Sequence, residues 1–172
     1  MADAAGIGAR LEKWTSRGSM GWVFDNATDE MTLDARFIGF DMTDFLDNAD
    51  IRTPLMLYLF HRIDKLLTGE RTIIAVDEFW KALGDPQSAE YIEDAAPAGR
   101  RANACLTCAT QNPEHALRSP LASSIIGQTP AWSLFPKPRA DEQDYRVGLG
   151  LAAKEFRLIR HELVPESRQF LI

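Results

Sequence analysis

The chain has 172 residues, 45% of them hydrophobic and 26% charged, the balance of an ordinary soluble globular domain rather than a disordered tail. Nineteen Lys and Arg against 25 Asp and Glu give a net charge of −6, and a pI near 5.1 excludes nucleic-acid binding through general basicity, leaving only a local basic site for any DNA contact. The longest apolar run, residues 55–60, is far short of the roughly 20 residues of a membrane-spanning helix.

At this length a core forms without disulfides or metal staples. The N-terminus lacks the basic start and apolar run of a secretory signal, which predicts a cytoplasmic protein. The chain reads as a single domain over 1–172, with an irregular N-terminal part over 1–50 and a core over 51–172. In the first part, 21–24 and 37–40 are expected as short strands separated by the turn residues Asp25 and Asn26.

Residues 53–69 predict a helix, with Thr53 as cap, Pro54 in the first helical position and Gly69 after the end. Met56, Leu59, Phe60, Ile63, Leu66 and Leu67 recur at three and four along it, a stripe to be buried. Residues 72–76 are β-branched and apolar on both faces, the pattern of a central strand covered on both sides. A helix over 87–96 and a second apolar strand over 104–110 complete a strand, helix, strand unit, which predicts a right-handed parallel crossover. Further on, 121–126 and 152–161 read as helices, and 131–135 and 168–172 as strands. The sum is an α/β fold, mainly a parallel sheet flanked by helices.

Asp77 and Glu78 follow directly after the apolar strand. Ligands of open α/β sheets bind outside the carboxyl ends of the strands, so this is a Walker B arrangement that delivers both acids into a site. Asp77 would hold Mg²⁺ through water, and Glu78 would orient or deprotonate the water attacking a γ-phosphate. From the pair alone, a strand that simply meets solvent with two acids is equally good. Gln111 ends the next strand, where its amide could sense the γ-phosphate or the attacking water; taken alone, a backbone cap is the commoner role. Arg100 and Arg101 precede that strand, where an arginine could reach the phosphate of a neighbouring subunit; for either alone, a solvated helix end is the simpler reading.

No G-x-x-x-x-G-K-[ST] loop occurs, and the chain contains no Gly-Lys dipeptide. Cys105 and Cys108 form a C-x-x-C, but residues three apart on a strand face opposite ways, so both thiols are expected as small core residues rather than a redox pair or half a zinc site. His61, His115 and His161 offer no zinc motif and are expected to be structural or surface groups. No G-x-S-x-G elbow is present, and Trp14, Trp22, Trp80 and Trp132 are expected in cores or interfaces.

Five motifs occur in order: Gly21-Trp22-Val23-Phe24-Asp25-Asn26, Gly39-Phe40-Asp41-Met42-Thr43, Tyr58-Leu59-Phe60-His61-Arg62-Ile63, Asp77-Glu78-Phe79-Trp80-Lys81 and Ala109-Thr110-Gln111. With the closing Pro165-Glu166-Ser167-Arg168-Gln169-Phe170-Leu171-Ile172, they resemble the C-terminal ATPase domain of the VirB-type conjugal-transfer ATPases of bacterial type IV secretion systems. The resemblance runs from about Leu11 to the last residue. It implies a RecA-like P-loop NTPase that binds ATP and Mg²⁺, forms oligomers of sister subunits, and works with other secretion subunits at the cytoplasmic face of the inner membrane. It also implies that Asp77 and Glu78 match the Walker B acids, Gln111 the glutamine motif, and Arg100 an arginine that acts in trans.

Because the Walker A loop of that family lies upstream of the matched segment, the chain is expected to be a partial domain: a split gene, a truncated copy or an internal portion. Pro97 falls where the family has a continuous helix, so the helix is expected to stop near Ala96, since proline inside a helix costs about 3 kcal/mol. Two roles follow: part of a secretion ATPase that completes its site with a phosphate-binding half, or a catalytically silent remnant that binds secretion partners.

Overall fold

A computed structural model describes residues 6–84 and 86–172, without the side chains of residues 46, 49, 82, 86, 87, 95–98 and 100. The chain divides into two compact units, Met1–Pro54 and Leu55–Ile172.

In the first unit α1 spans Ile7–Glu12, α2 Gly21–Phe24 and α3 Thr43–Leu46. The strand expected at 21–24 is therefore a helical turn. Gly21 packs so tightly that a Cβ on it would lie 2.1 Å from the Thr15 carbonyl oxygen, and the Asp25 N–H donates back to the Gly21 carbonyl over 2.8 Å. Glycine is what lets the two backbones approach, and it winds the segment away from an extended path. The strand expected at 37–40 is absent as well: the segment has no regular structure, and Phe37 is 91% exposed. Trp14 meets Phe24 with ring centroids 5.5 Å apart, and Trp22 meets Phe45 at 6.1 Å.

Helix α4 spans Ala49–Leu66, one turn earlier than its sequence signals suggest. Asn48 supplies the start: its Oδ1 accepts the Asp50 N–H at 3.1 Å and its carbonyl accepts the Arg52 N–H at 2.8 Å. Pro54 thus sits inside the helix rather than at its first position, where the N–H it lacks removes one backbone bond. Beyond the helix end, Gly69 takes a φ of 97°, a left-handed conformation open to glycine without steric cost.

In the second unit Met56, Leu59 and Phe60 of α4 are buried, and the Phe60 ring stacks on Tyr91 at 3.9 Å. Strand β1 is Thr72–Val76, followed by α5 (Trp80–Leu83), α6 (Pro86–Arg101) and β2 (Ala104–Cys108). The strands pair in parallel, in register from Thr72 with Ala104 to Val76 with Cys108, so an α/β crossover lies between them. Among the described residues this pair is the sheet. One of its faces is open: Ile73 is 77% exposed and Cys105 is exposed. The expected two-sided cover of β1 and burial of Cys105 are therefore not found among the described residues. Cys108, on the opposite face, is the half-buried thiol of the two.

Helix α6 does not stop at Ala96 but runs through Pro97 to Arg101. Its buried face, Ser88, Ala89 and Ile92, lies along a helix packed on β2, and tertiary packing of this kind overrides local propensity. Two further helices follow, α7 (Pro113–Leu117) and α8 (Ala122–Gln128). The last third holds a π-helical turn, Gln143–Gly148, then α9 (Ala153–Arg157), which continues as a second π-helix, Leu158–Glu162. Ala140, Tyr145, Phe156 and Ile159 form its core, joined by the partly buried Leu134, Leu149, Leu151 and Leu171. The strands expected at 131–135 and 168–172 shrink to one antiparallel bridge, Leu134 with Leu171, with bonds of 2.8 and 2.9 Å. Pro130 and Pro136 bracket the first segment, and proline cannot donate to a longer ladder.

Candidate functional site at the carboxyl edge of the strand pair

The turn after β1 carries two acids. Asp77 is exposed, and its Oδ1 accepts the N–H of Glu78 at 2.9 Å. Glu78 has a φ of 47°, a left-handed backbone that costs a non-glycine residue on the order of 1 kcal/mol and is held only where the surroundings dictate it. Three contacts dictate it here. The Phe79 N–H donates to the Ala109 carbonyl at 3.3 Å, the Lys81 N–H donates to the Glu78 carbonyl at 2.9 Å, and the Trp80 indole N–H donates to the Glu78 carboxylate. Phe79 is buried. The chain therefore leaves β1, places two carboxylates, and folds straight into α5.

The turn after β2 begins where the Ala109 N–H donates to the Val76 carbonyl at 2.9 Å. The Thr110 hydroxyl accepts the Asn112 N–H at 3.1 Å, which tightens the turn into Pro113 and α7. Gln111 is exposed, and its carbonyl accepts a hydrogen bond from Lys137 Nζ at 2.9 Å. The same ammonium donates to Asn112 Oδ1 at 3.2 Å and lies 3.8 Å from the Glu114 carboxylate. His115 of α7 packs its ring on Trp80, centroids 4.5 Å apart, so the two turns touch through these rings. Because the strands are parallel, Asp77, Glu78 and Gln111 all leave the same edge of the sheet.

Arg100 stands elsewhere. It is the penultimate residue of α6, which returns to the start of β2; a Cβ on the preceding Gly99 would lie 3.2 Å from the Ala104 carbonyl. A five-residue strand separates that edge from Gln111 by about 17 Å, so the Arg100 backbone stands at the opposite end of the strands from the two acids and the glutamine. The Arg100 side chain lies outside the described residues, and Arg101 is exposed.

Beside the turns a cleft of about 640 Å³ opens between α5, α6 and α7, lined by Trp80, Leu83, Ala89, Glu93, His115 and Arg118 among others. Among the described residues, the Nδ1 atom of His115 is buried there without a hydrogen-bond partner. Burial pushes the Cys108 thiol up to about 11. Burial, then the charges of Glu114 and Asp144, push the Tyr145 hydroxyl up to about 12.

The sequence points to the acids and the glutamine but not to the groups that meet their turns: Trp80 on the Glu78 carboxylate, Lys137 on the Gln111 carbonyl, and His115 packed on Trp80. A Trp two residues after an acid is a usable signal for the first. For Lys137 the signal is its place between Pro136 and Pro138, which stiffens the backbone from which it reaches.

No family model matches the chain. It is 48% identical over 167 residues to the type IV secretion system protein virB4 of Bartonella quintana, covering 97% of this chain and 21% of that protein. Protein virB4 of Agrobacterium tumefaciens (strain 15955) is 38% identical over 169 residues, 98% of this chain and 21% of its own length. The type IV secretion system protein virB4 of Brucella abortus is 36% identical over 173 residues, with 96% and 21% covered. The chain spans about a fifth of the length of these curated relatives. Among the described residues, no helix is long and apolar enough to cross a membrane. With near-complete coverage of the chain by three such relatives, it belongs to the VirB4 type IV secretion proteins, of which it represents a part.

Proposed function

We propose that this chain supplies the acids and the glutamine of the ATP-hydrolysing site of a VirB4-type secretion ATPase, within a partial RecA-like P-loop NTPase domain. The observation that supports it is the shared edge: two consecutive acids after one strand and a glutamine after its parallel neighbour, with the turns in contact. In open α/β sheets that edge is where ligands bind.

The residues fit a divalent cation with phosphates. Asp77 is exposed and uses its Oδ1 on the Glu78 N–H, so its carboxylate can hold Mg²⁺ through water. The ion, when bound with ATP, neutralises charge on the phosphate oxygens. Glu78 is placed to orient the attacking water and take its proton, exchanging its bond to the Trp80 indole for one to that water. Gln111 orients the same water or senses the γ-phosphate through its amide. Arg100, at the opposite edge, serves only a neighbouring subunit's nucleotide. The backbone amides and lysine of a phosphate loop come from outside these 172 residues, which hold no Gly-Lys. Sister subunits and other type IV secretion subunits are the partners, at the cytoplasmic face of the bacterial inner membrane, where turnover powers pilus assembly and substrate transfer.

A hybrid tests this: the Bartonella quintana protein with its matched region replaced by this chain. We expect Mg-ATP turnover that falls at least about 100-fold in Glu78→Gln, as loss of a general base does. A folded hybrid whose turnover is the same with Glu78→Gln overturns the reading. The Glu78 carboxylate engaged by Trp80 favours a second reading, a silent interaction module. Under it, the hybrid assembles with secretion partners yet turns over no ATP while the unmodified relative does.

A further inference from the structure

The turn that presents Gln111 has no capping side chain on α7; Asn112, at the N-cap, makes no such bond. Beyond the local bond from the Asn112 N–H to the Thr110 hydroxyl, what closes it comes from 26 residues further along the chain. Lys137 Nζ donates to the Gln111 carbonyl and to Asn112 Oδ1, and it faces the Glu114 carboxylate, so one ammonium with three donors meets three acceptors. Its root is fixed as firmly as its tip. The Lys137 N–H donates to the carbonyl of Ile159 at 3.0 Å, its own carbonyl accepts the Ala140 N–H at 2.9 Å, and Ile159 is fully buried. Prolines on both sides remove backbone freedom.

We infer that Lys137 is the positioning residue of the glutamine turn, tying the Gln111 backbone to the C-terminal hydrophobic cluster so that the amide is held in the line of the acids after β1. A lone surface ion pair would do little. Here the ammonium is half-buried and its bonds reach a main-chain carbonyl, so release of the lysine frees the backbone of the sensing residue itself. The C-terminal cluster then becomes a lever on the site: whatever shifts Ile159 shifts Gln111. The catalytic part of this inference rests on the proposed ATP hydrolysis; the clamp itself does not.

Two measurements separate the parts. In the 172-residue chain, hydrogen–deuterium exchange of residues 109–117 is expected to rise at least tenfold in Lys137→Met and to return toward the parent in Lys137→Arg, with the β1 and β2 amides unchanged. Asn112→Ala, which leaves the lysine backbone untouched, is expected to give a smaller rise in the same amides. Equal exchange in all four proteins overturns the clamp. In the hybrid, Lys137→Met is expected to lower kcat about tenfold with the KM for ATP unchanged, a split that general loss of fold does not give. If Glu78→Gln abolishes turnover and Lys137→Met leaves kcat intact, the positioning role is overturned. If Glu78→Gln changes nothing, the hydrolytic reading fails and the exchange data still judge the clamp.

Discussion

The two turns at the carboxyl edge of the strand pair are built from different materials. After β1, Asp77 bonds to the next residue and Glu78 to an indole two residues on. After β2, Thr110 bonds within the turn, but Gln111 is held by Lys137 from a distant segment rooted on Ile159. The first turn is specified by its own tetrapeptide and keeps its shape with the neighbouring strand. The second borrows its shape from the C-terminal cluster. A molecule so divided has one turn held locally and one held from a distance.

The sharpest way to test the division is to remove chemistry from the local turn. Glu78→Gln preserves the side-chain shape and can still accept the Trp80 N–H, so the loss of at least about 100-fold in hybrid turnover reports the missing base rather than a rearranged turn. Next in size is damage to the remote anchor. Ile159 is fully buried within Tyr145, Phe156 and Ala140, so Ile159→Ala should cost about 2–4 kcal/mol in urea unfolding. If the two turns differ as described, amide exchange at 109–117 rises in this variant more than at 77–81. Equal rises at both would mean that the turns are one unit.

The same division explains what could be read from the sequence. Strand β1 and its acids were legible because five β-branched or apolar residues and two charges follow each other without interruption. The parallel crossover was legible because a helix-length segment separates two such strands. What failed were segments whose state is set by remote contacts. Residues 21–24 have strand-like composition, yet the contact of Gly21 with the Thr15 carbonyl turns them into a helix. Pro97 reads as a stop, yet packing on β2 carries α6 past it. Segments 131–135 and 168–172 are apolar enough for strands but meet at one bridge, between prolines on one side and the left-handed Arg168 on the other. Lys137 was invisible for the same reason: its partners lie 25 and 26 residues away.

A smaller intervention sharpens the local side. Trp80→Phe keeps an aromatic ring against His115 but removes the N–H that engages Glu78, which should cost about 1 kcal/mol in urea unfolding, the worth of one hydrogen bond to a charged group partly offset by water. In the hybrid the freed carboxylate no longer has to exchange partners, so kcat should hold or rise slightly. A fall as large as that of Glu78→Gln would mean that the indole orients the carboxylate for its task.

The smallest effect belongs to the two faces of β2, and it reads out with thiol reagents. Cys105 is exposed and Cys108 is half-buried, its thiol pushed by burial from near 9 to about 11. In the native chain at pH 8, one thiol per molecule should react rapidly and the second only slowly, whereas both react together in urea, because attack requires an accessible thiolate. The sign of the pH effect follows. Above about pH 9 the unfolded Cys108 gives up its proton while the folded one keeps it, so stability is intact below that pH and declines as pH rises toward about 11. Cys108→Ala should abolish that component of the decline while Cys105→Ala leaves it in place. Rapid labelling of both thiols in the folded chain would mean that the face of β2 packed under α6 opens as readily as the face that carries Ile73, and the contrast between a fixed strand edge and an adjustable turn would have to be drawn one layer deeper.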